Sequence, residues 1–429
     1  MALSGRPLRG TLKLPGDKSI AHRALMLAAL AGGTSTLEGL GGGGDVSATA
    51  SCLERLGVRV DRGEVWSVVA GGLSEATDVL DVGNSGTSIR CLTGLCAGLE
   101  GCLSVLTGDA SVRSRPMLRV VAPLREMGAS IAGARHGDRA PLAVTGRRLR
   151  GITRELDIAS AQIKTALLLA GLLAEGRTEI VSPGPSRDHT ERMLSHLGAP
   201  VAVDGATVAI EGGWRPEPFQ AEIPGDISSA MFLVVAAIIT PGSELSMEGL
   251  GLNPTRTGAL EVLAQMGADV SWHIEGERLG EPVGTVTARH SPELRATEIA
   301  GSALIPRLID EIPILAIAAA YARGTTTIRD AEELRVKESD RVATVADGLS
   351  VMGVPVRPTA DGLVIEGGGP LSGGTVRSRG DHRIALAFAV AGLGAKDKVT
   401  VEGWNCVDTS FPEFLELLGQ ARSGKARRG

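Results

Sequence analysis

Apolar and polar positions repeat along this chain with a period far longer than a helical turn. The pattern Leu-x-x-(Leu/Met)-Gly occurs six times, ending at Gly57, Gly128, Gly198, Gly267, Gly353 and Gly419. Successive glycines are 71, 70, 69, 86 and 66 residues apart. One such motif carries little information, because many helices end this way, but six at nearly even spacing identify an internal repeat. Two apolar residues three apart share a helical face, and the glycine suits a left-handed C-cap. After every copy but the last, Val or Ala leads into a short β-branched run, as in Val58-Arg-Val60 and Ala268-Asp-Val270, so a strand is expected to leave each helix.

A second element lies between those motifs. Polar starts near Gly16, Gly83, Ser160, Gly225, Asp310 and Gly380 lead into Ala/Leu-rich segments such as Ala24–Leu30, Ala166–Leu173 and Ile314–Ala320. These segments are apolar nearly all round, which predicts buried helices. Each unit then has one buried and one exposed helix with short strands, and no unit can bury its apolar face alone.

The first and fourth copies match best: Pro15-Gly-Asp-Lys-Ser19 answers Pro224-Gly-Asp-Ile-Ser228. A twofold inside a sixfold predicts two similar domains of three units, at 15–225 and at 1–14 plus 226–429. The crossings near 15–17 and 224–226 read as a hinge, with proline fixing one backbone angle and glycine freeing the next.

Composition narrows the function. A chain of 429 residues with 43% hydrophobic and 22% charged residues suits two globular domains. A net charge of −5 and 2% aromatics offer no electrostatic footprint and few stacking platforms for nucleic acid. No apolar run reaches a membrane span, and the start Met1-Ala-Leu-Ser-Gly-Arg6 has no signal core. Five cysteines form no Cys-x-x-Cys pair, so reduced thiols in a cytoplasmic protein without a metal site are expected.

The polar starts carry the candidate chemistry. They place Lys18, Ser19 and Arg23, then Asn84, Gly86, Thr87 and Arg90, then Ser160, Ala161, Gln162 and Lys164, at the beginnings of apolar helices. The C-terminal half adds Asp310, the run Arg335-Val-Lys337-Glu338-Ser-Asp-Arg341, and Gly380-Asp-His382-Arg383, while loops add Arg113, Arg115 and Arg187. Helix N-termini with unpaired N–H groups and nearby cations favour small anions. So many cations in an acidic chain imply a local positive cleft. Each motif also has a plainer reading as a solvated charge, a turn or a cap, and His189 reads as structural. Gly16-Asp-Lys-Ser19 is similar to the end of a P-loop but lacks its upstream glycine, and neither G-x-G-x-x-G after a strand nor G-x-S-x-G occurs.

Taken together, Pro15-Gly-Asp-Lys-Ser-Ile-Ala-His-Arg23, Gly83-Asn-Ser-Gly-Thr87, Arg335–Arg341 and Asp381-His-Arg383 resemble the signatures of the 5-enolpyruvylshikimate-3-phosphate synthase family. That resemblance spans nearly the whole chain. It implies an α/β (α+β) fold of two similar domains, each three βαβαββ units in an inside-out α/β barrel, closing over a cleft. It implies transfer of the enolpyruvyl group of phosphoenolpyruvate to the 5-hydroxyl of shikimate 3-phosphate by addition and elimination, in chorismate and aromatic amino acid biosynthesis, with no cofactor or metal. A monomer without nucleic-acid or membrane partners is expected.

Carried over residue by residue, the resemblance gives shikimate 3-phosphate to Lys18, Ser19, Arg23, Ser160, Ala161, Gln162, Arg187, Asp310 and Lys337. It gives phosphoenolpyruvate to Lys18, Gly86, Arg115, Gln162, Arg341 and Arg383, with Asn84, Thr87, Arg90 and His382 as further candidates. Asp310 is implied as base for the hydroxyl, and Glu338 with Lys18 as proton shuttle at the methylene carbon. Glu333 stands where many members have Asn, and Thr409 where some have Lys. Gly86 lacks a methyl group, which in the family goes with sensitivity to glyphosate. Two rivals remain. One is a UDP-N-acetylglucosamine enolpyruvyl transferase, whose loop cysteine is absent from Leu106–Arg113. The other is a non-catalytic anion-binding repeat protein.

Overall fold

Five of the six repeat glycines terminate their helices as the pattern predicts. The helices Gly44–Arg55, Leu118–Glu126, His189–His196, Gly258–Gln265 and Arg341–Val351 are followed two residues later by Gly57, Gly128, Gly198, Gly267 and Gly353. All five glycines have φ between 78° and 107°, the left-handed region. At each end the glycine N–H bonds back three residues and the next N–H bonds back five, as in Gly57 to Glu54 and Val58 to Leu53. These paired bonds satisfy carbonyls that a helix end would otherwise orphan. The sixth copy departs from the expectation. Gly419 lies inside the helix Phe414–Ser423 and is not left-handed.

The computed structural model describes residues 6–423. The ends of the expected second domain, 1–5 and 424–429, lie outside the described residues. The chain divides into two compact units. One comprises the segment up to Pro15, Pro224–Gly276 and the chain from Pro282; the other comprises Gly16–Ile223 and Glu277–Glu281.

In the Gly16–Ile223 unit three inner helices, Lys18–Leu30, Gly86–Ala97 and Ala161–Leu172, form the core. Most of their residues are buried around the full circumference, as the unbroken apolar runs require. Gly94 lets two of them approach closely, since a Cβ there would collide with the Ala166 backbone. The other unit repeats the plan with Ile227–Ile239, Ile312–Tyr321 and His382–Ala391. Small sheets accompany the helices, each full one with a parallel pair followed by antiparallel strands. Thus Leu80–Asp81 runs parallel to Leu103–Thr107, which pairs antiparallel with Arg139–Thr145, and that strand with Ser130–Gly133. Five four-stranded sheets are present among the described residues, and the sixth has two strands, Gly374–Arg377 and Val399–Glu402.

Strand exchange at the crossings closes each unit. Arg9–Lys13 precedes the helix Lys18–Leu30 in sequence but pairs with Glu244–Gly251. Gln220–Glu222 precedes Ile227–Ile239 but pairs with Gly33–Glu38. Gly16 and Gly225 do not serve as torsional exceptions, for neither has a positive φ. Gly16 is needed for space: a Cβ would strike the Gly39 carbonyl and lie 2.8 Å from Ile223 Cγ2.

Candidate active site

In the Gly16–Ile223 unit the predicted polar starts fall at helix N-termini. Asp17 caps the first inner helix by accepting the Ile20 N–H at 3.0 Å, and Ser85 caps the second by accepting the Ser88 N–H at 3.1 Å. Ser160 is the N-cap of the third, so Ala161 and Gln162 occupy its first turn. These caps use hydroxyl or carboxylate oxygens and leave the remaining N–H groups of each first turn for other acceptors.

Several candidates meet directly. Arg90 Nη1 donates to Gln162 Oε1 at 2.7 Å and to the Gly86 carbonyl at 3.0 Å, and Gln162 Nε2 donates to Thr87 Oγ1 at 3.0 Å. Gly86 sits under two guanidinium groups, since a Cβ there would lie 2.5 Å from Arg115 Nη1 and 3.0 Å from Arg90 Nη1. Lys18 Nζ pairs with Asp45 at 2.7 Å. Arg23 is 3% exposed and donates to Thr190 Oγ1 (2.7 Å), Thr165 Oγ1 (2.8 Å) and the Ser19 carbonyl (2.7 Å). Burial pulls its guanidinium below the ordinary arginine value, and Arg187 adds like-charge repulsion while Glu191 and Asp17 oppose it. Asn84 Nδ2 donates to Asp109 Oδ2 at 2.6 Å. His189 is fully buried against Glu281, with Nδ1 2.7 Å from Oε1, in keeping with a structural role.

The other unit concentrates acids and bases. Asp310 Oδ1 lies 3.3 Å from Arg341 Nη1 and 3.4 Å from Lys337 Nζ. Arg341 Nη2 donates to Glu338 Oε2 at 2.6 Å, and its Nε donates to Asp381 Oδ2 at 2.8 Å. Burial opposes the Arg341 charge, but Asp381, Glu338 and Asp310 outweigh it and raise the guanidinium above its ordinary range. Arg383 Nη1 donates to the Asp310 carbonyl at 2.9 Å and to Glu311 Oε1 at 3.3 Å. His382 is buried in the first turn of the helix that Asp381 caps. Glu311 in turn accepts from the Ser228 hydroxyl, to which Arg256 Nη2 donates at 2.6 Å. Thr409 Oγ1 donates to its own turn, at the Cys406 carbonyl.

Sequence reading missed the residues that hold the cations in place. Asp45, Thr165 and Thr190 steady Lys18 and Arg23, while Asp381 and Glu311 steady Arg341 and Arg383. Asp381 lies within the signature Asp381-His-Arg383 and Glu311 adjoins Asp310, which was the available signal. Asp45, Thr165 and Thr190 show nothing until the helices pack. The Lys164–Glu191 ion pair, also buried, arises in the same way.

Comparison with known proteins bears on the family and the fold. The family model of EPSP synthase (3-phosphoshikimate 1-carboxyvinyltransferase) matches residues 3–418. A 3-phosphoshikimate 1-carboxyvinyltransferase of Roseiflexus castenholzii is 51% identical over 427 residues, covering 98% of this chain and 99% of that one. One of Gloeobacter violaceus is 52% identical over 422 residues, covering 97% of each. The solved EPSP synthase of Acinetobacter baumannii superposes with a TM-score of 0.87 at 42% identity, covering 98% of this chain and 97% of that one. The repeat architecture and these matches define a two-domain enolpyruvyl transferase fold. The chain belongs to the EPSP synthase family.

Proposed function

We propose that this enzyme transfers the enolpyruvyl group of phosphoenolpyruvate to the 5-hydroxyl of shikimate 3-phosphate, releasing phosphate. The observation that carries the reading is the cluster around Arg341, where Asp310 and Glu338 share one buried guanidinium beside Lys337. Addition needs a base at the attacking hydroxyl and an acid at the methylene carbon, with the roles reversed in elimination. Asp310 takes the first role and Glu338, with Lys18, the second.

The two substrates carry two phosphates and two carboxylates, so binding must offset their mutual repulsion. Lys18, Ser19, Arg23, Ser160, Ala161, Gln162, Arg187, Asp310 and Lys337 are assigned to shikimate 3-phosphate. Lys18, Gly86, Arg115, Gln162, Arg341 and Arg383 are assigned to phosphoenolpyruvate. Guanidinium forks match phosphate and carboxylate geometry, and helix N-termini add aligned N–H groups. The domains act about a hinge at the crossings 15–17 and 224–226, the enzyme works as a monomer, and its place is the cytoplasm. Phosphate release from phosphoenolpyruvate, measured with shikimate 3-phosphate as acceptor, tests the assignment. Turnover with that acceptor is expected, and turnover only with UDP-N-acetylglucosamine overturns it.

A further inference from the structure

One buried titratable side chain beside the Lys18 start has no role in the reaction above. His22 lies one turn beyond Lys18 and is 1% exposed, with Nδ1 2.7 Å from Thr49 Oγ1. Thr49 Oγ1 is 2.6 Å from Ser88 Oγ, and Ser88 Oγ donates to Ser85 Oγ at 2.6 Å. Thr49, Ser88 and Ser85 are buried as well. The four side chains run from the helix Lys18–Leu30 across Gly44–Arg55 to the cap of Gly86–Ala97.

Counting protons fixes the direction. A hydroxyl has one proton to donate. Ser88 gives its proton to Ser85, so its oxygen accepts from Thr49. Thr49 has then used its proton, and its contact with His22 exists only if the ring donates through Nδ1. A second observation selects the same tautomer: Nε2 is buried and has no hydrogen-bond partner. A lone pair is tolerated there better than an N–H donor, because orphaned buried donors are the rarer case. A second ring proton is disfavoured by burial and by Lys18 and Arg23, with Asp17 alone in its favour. The neighbouring helices turn Thr49 and Ser88 toward this chain, and the carboxylate of Asp45 is engaged by Lys18.

We propose that His22 is a positioning residue: as an Nδ1 donor it orders the chain through Thr49 and Ser88 to Ser85, and so sets the Gly86–Ala97 helix start against the Lys18 start. The Lys18–Asp45 pair and the His22–Thr49 bond are two rungs, one turn apart, between the same two helices. Gly86 at the far end is assigned to phosphoenolpyruvate, so the kinetic part of this inference rests on the function proposed above.

The test has two arms on the full chain. Nitrogen-15 NMR of labelled histidines should show the His22 ring protonated on Nδ1 and unchanged from about pH 5 to about pH 8. A ring protonated on Nε2, or one that titrates in that range, overturns the proposal. This arm needs no turnover, so it decides even if the proposed reaction fails. In the second arm, His22→Asn keeps a donor at the Nδ1 position and should hold both KM values within about twofold, while His22→Leu and Thr49→Val should raise KM for phosphoenolpyruvate about tenfold and leave that for shikimate 3-phosphate within about twofold. A merely structural role would lower the melting temperature without separating the two KM values. Asn performing no better than Leu, or Leu leaving both values unchanged, would also overturn the proposal.

Discussion

Arg341 and Asp381 form a buried pair: the guanidinium Nε donates to Oδ2 at 2.8 Å, with the two side chains 1% and 0% exposed. Asp381 also caps the helix that carries Arg383, accepting its N–H at 3.0 Å. One carboxylate thus fixes both arginines assigned to phosphoenolpyruvate, one through its side chain and one through its backbone. Removing one partner of a buried pair leaves an uncompensated charge and costs roughly 3 kcal/mol or more. Asp381→Asn should therefore lower the melting temperature and cut kcat/KM for phosphoenolpyruvate at least about tenfold. Steady-state kinetics alongside thermal unfolding checks both effects.

Gly86 makes a separate prediction, because the nearest atoms to its hypothetical Cβ are the ends of Arg115 and Arg90. Flexible side-chain tips can yield, so Gly86→Ala should fold normally. Its cost should fall on binding, as a raised KM for phosphoenolpyruvate. The wild-type enzyme is expected to be sensitive to glyphosate and the variant less so. Inhibition curves for the two proteins test this, and millimolar tolerance in the wild type would count against it.

The repeat glycines separate by conformation. Gly198 has φ 83° and open space around its Cβ position, so Gly198→Ala isolates backbone strain, costing about 1–2 kcal/mol. Gly419 is helical with equally open surroundings, and Gly419→Ala should stabilise by about 0.5–1 kcal/mol. Denaturant unfolding of the two variants should shift in opposite directions.

His22 also predicts a pH dependence of stability. Burial, Lys18 and Arg23 push its imidazole down from 6.5 to about 3. The unfolded chain gains this proton as pH falls through 6.5, while the folded chain does not until about 3. The contribution is therefore full above 6.5 and is lost across that window at about 1.4 kcal/mol per pH unit. At pH 5 the loss reaches roughly 2 kcal/mol. His22→Asn should flatten the stability profile between about pH 7 and about pH 5 by that amount.

Much of this is legible in the sequence. The Leu-x-x-(Leu/Met)-Gly pattern reports local physics, a helix face and a left-handed cap, and five of its six copies behave accordingly. Gly419 differs because the helix runs through it to Ser423. The helix starts were visible because capping residues and glycine lie beside the apolar runs. The supports were not. Thr190 reaches Arg23 from 167 residues away and Asp45 reaches Lys18 from 27, and neither has a local signature. The steric need for glycine at position 16 has no local signature either and appears only once Gly39 and Ile223 pack against it.

The central claim is that one active site adds a hydroxyl to phosphoenolpyruvate and then eliminates phosphate. Addition converts the methylene carbon to a transient methyl group by a proton, the role assigned to Glu338 with Lys18, and elimination removes one of its three hydrogens. The direct measurement is mass spectrometry of the product formed from phosphoenolpyruvate and shikimate 3-phosphate in deuterium oxide. Deuterium in the enolpyruvyl methylene, with turnover and incorporation both falling sharply in Glu338→Gln, is the predicted result. Product formed at full rate without any deuterium in that group would contradict it.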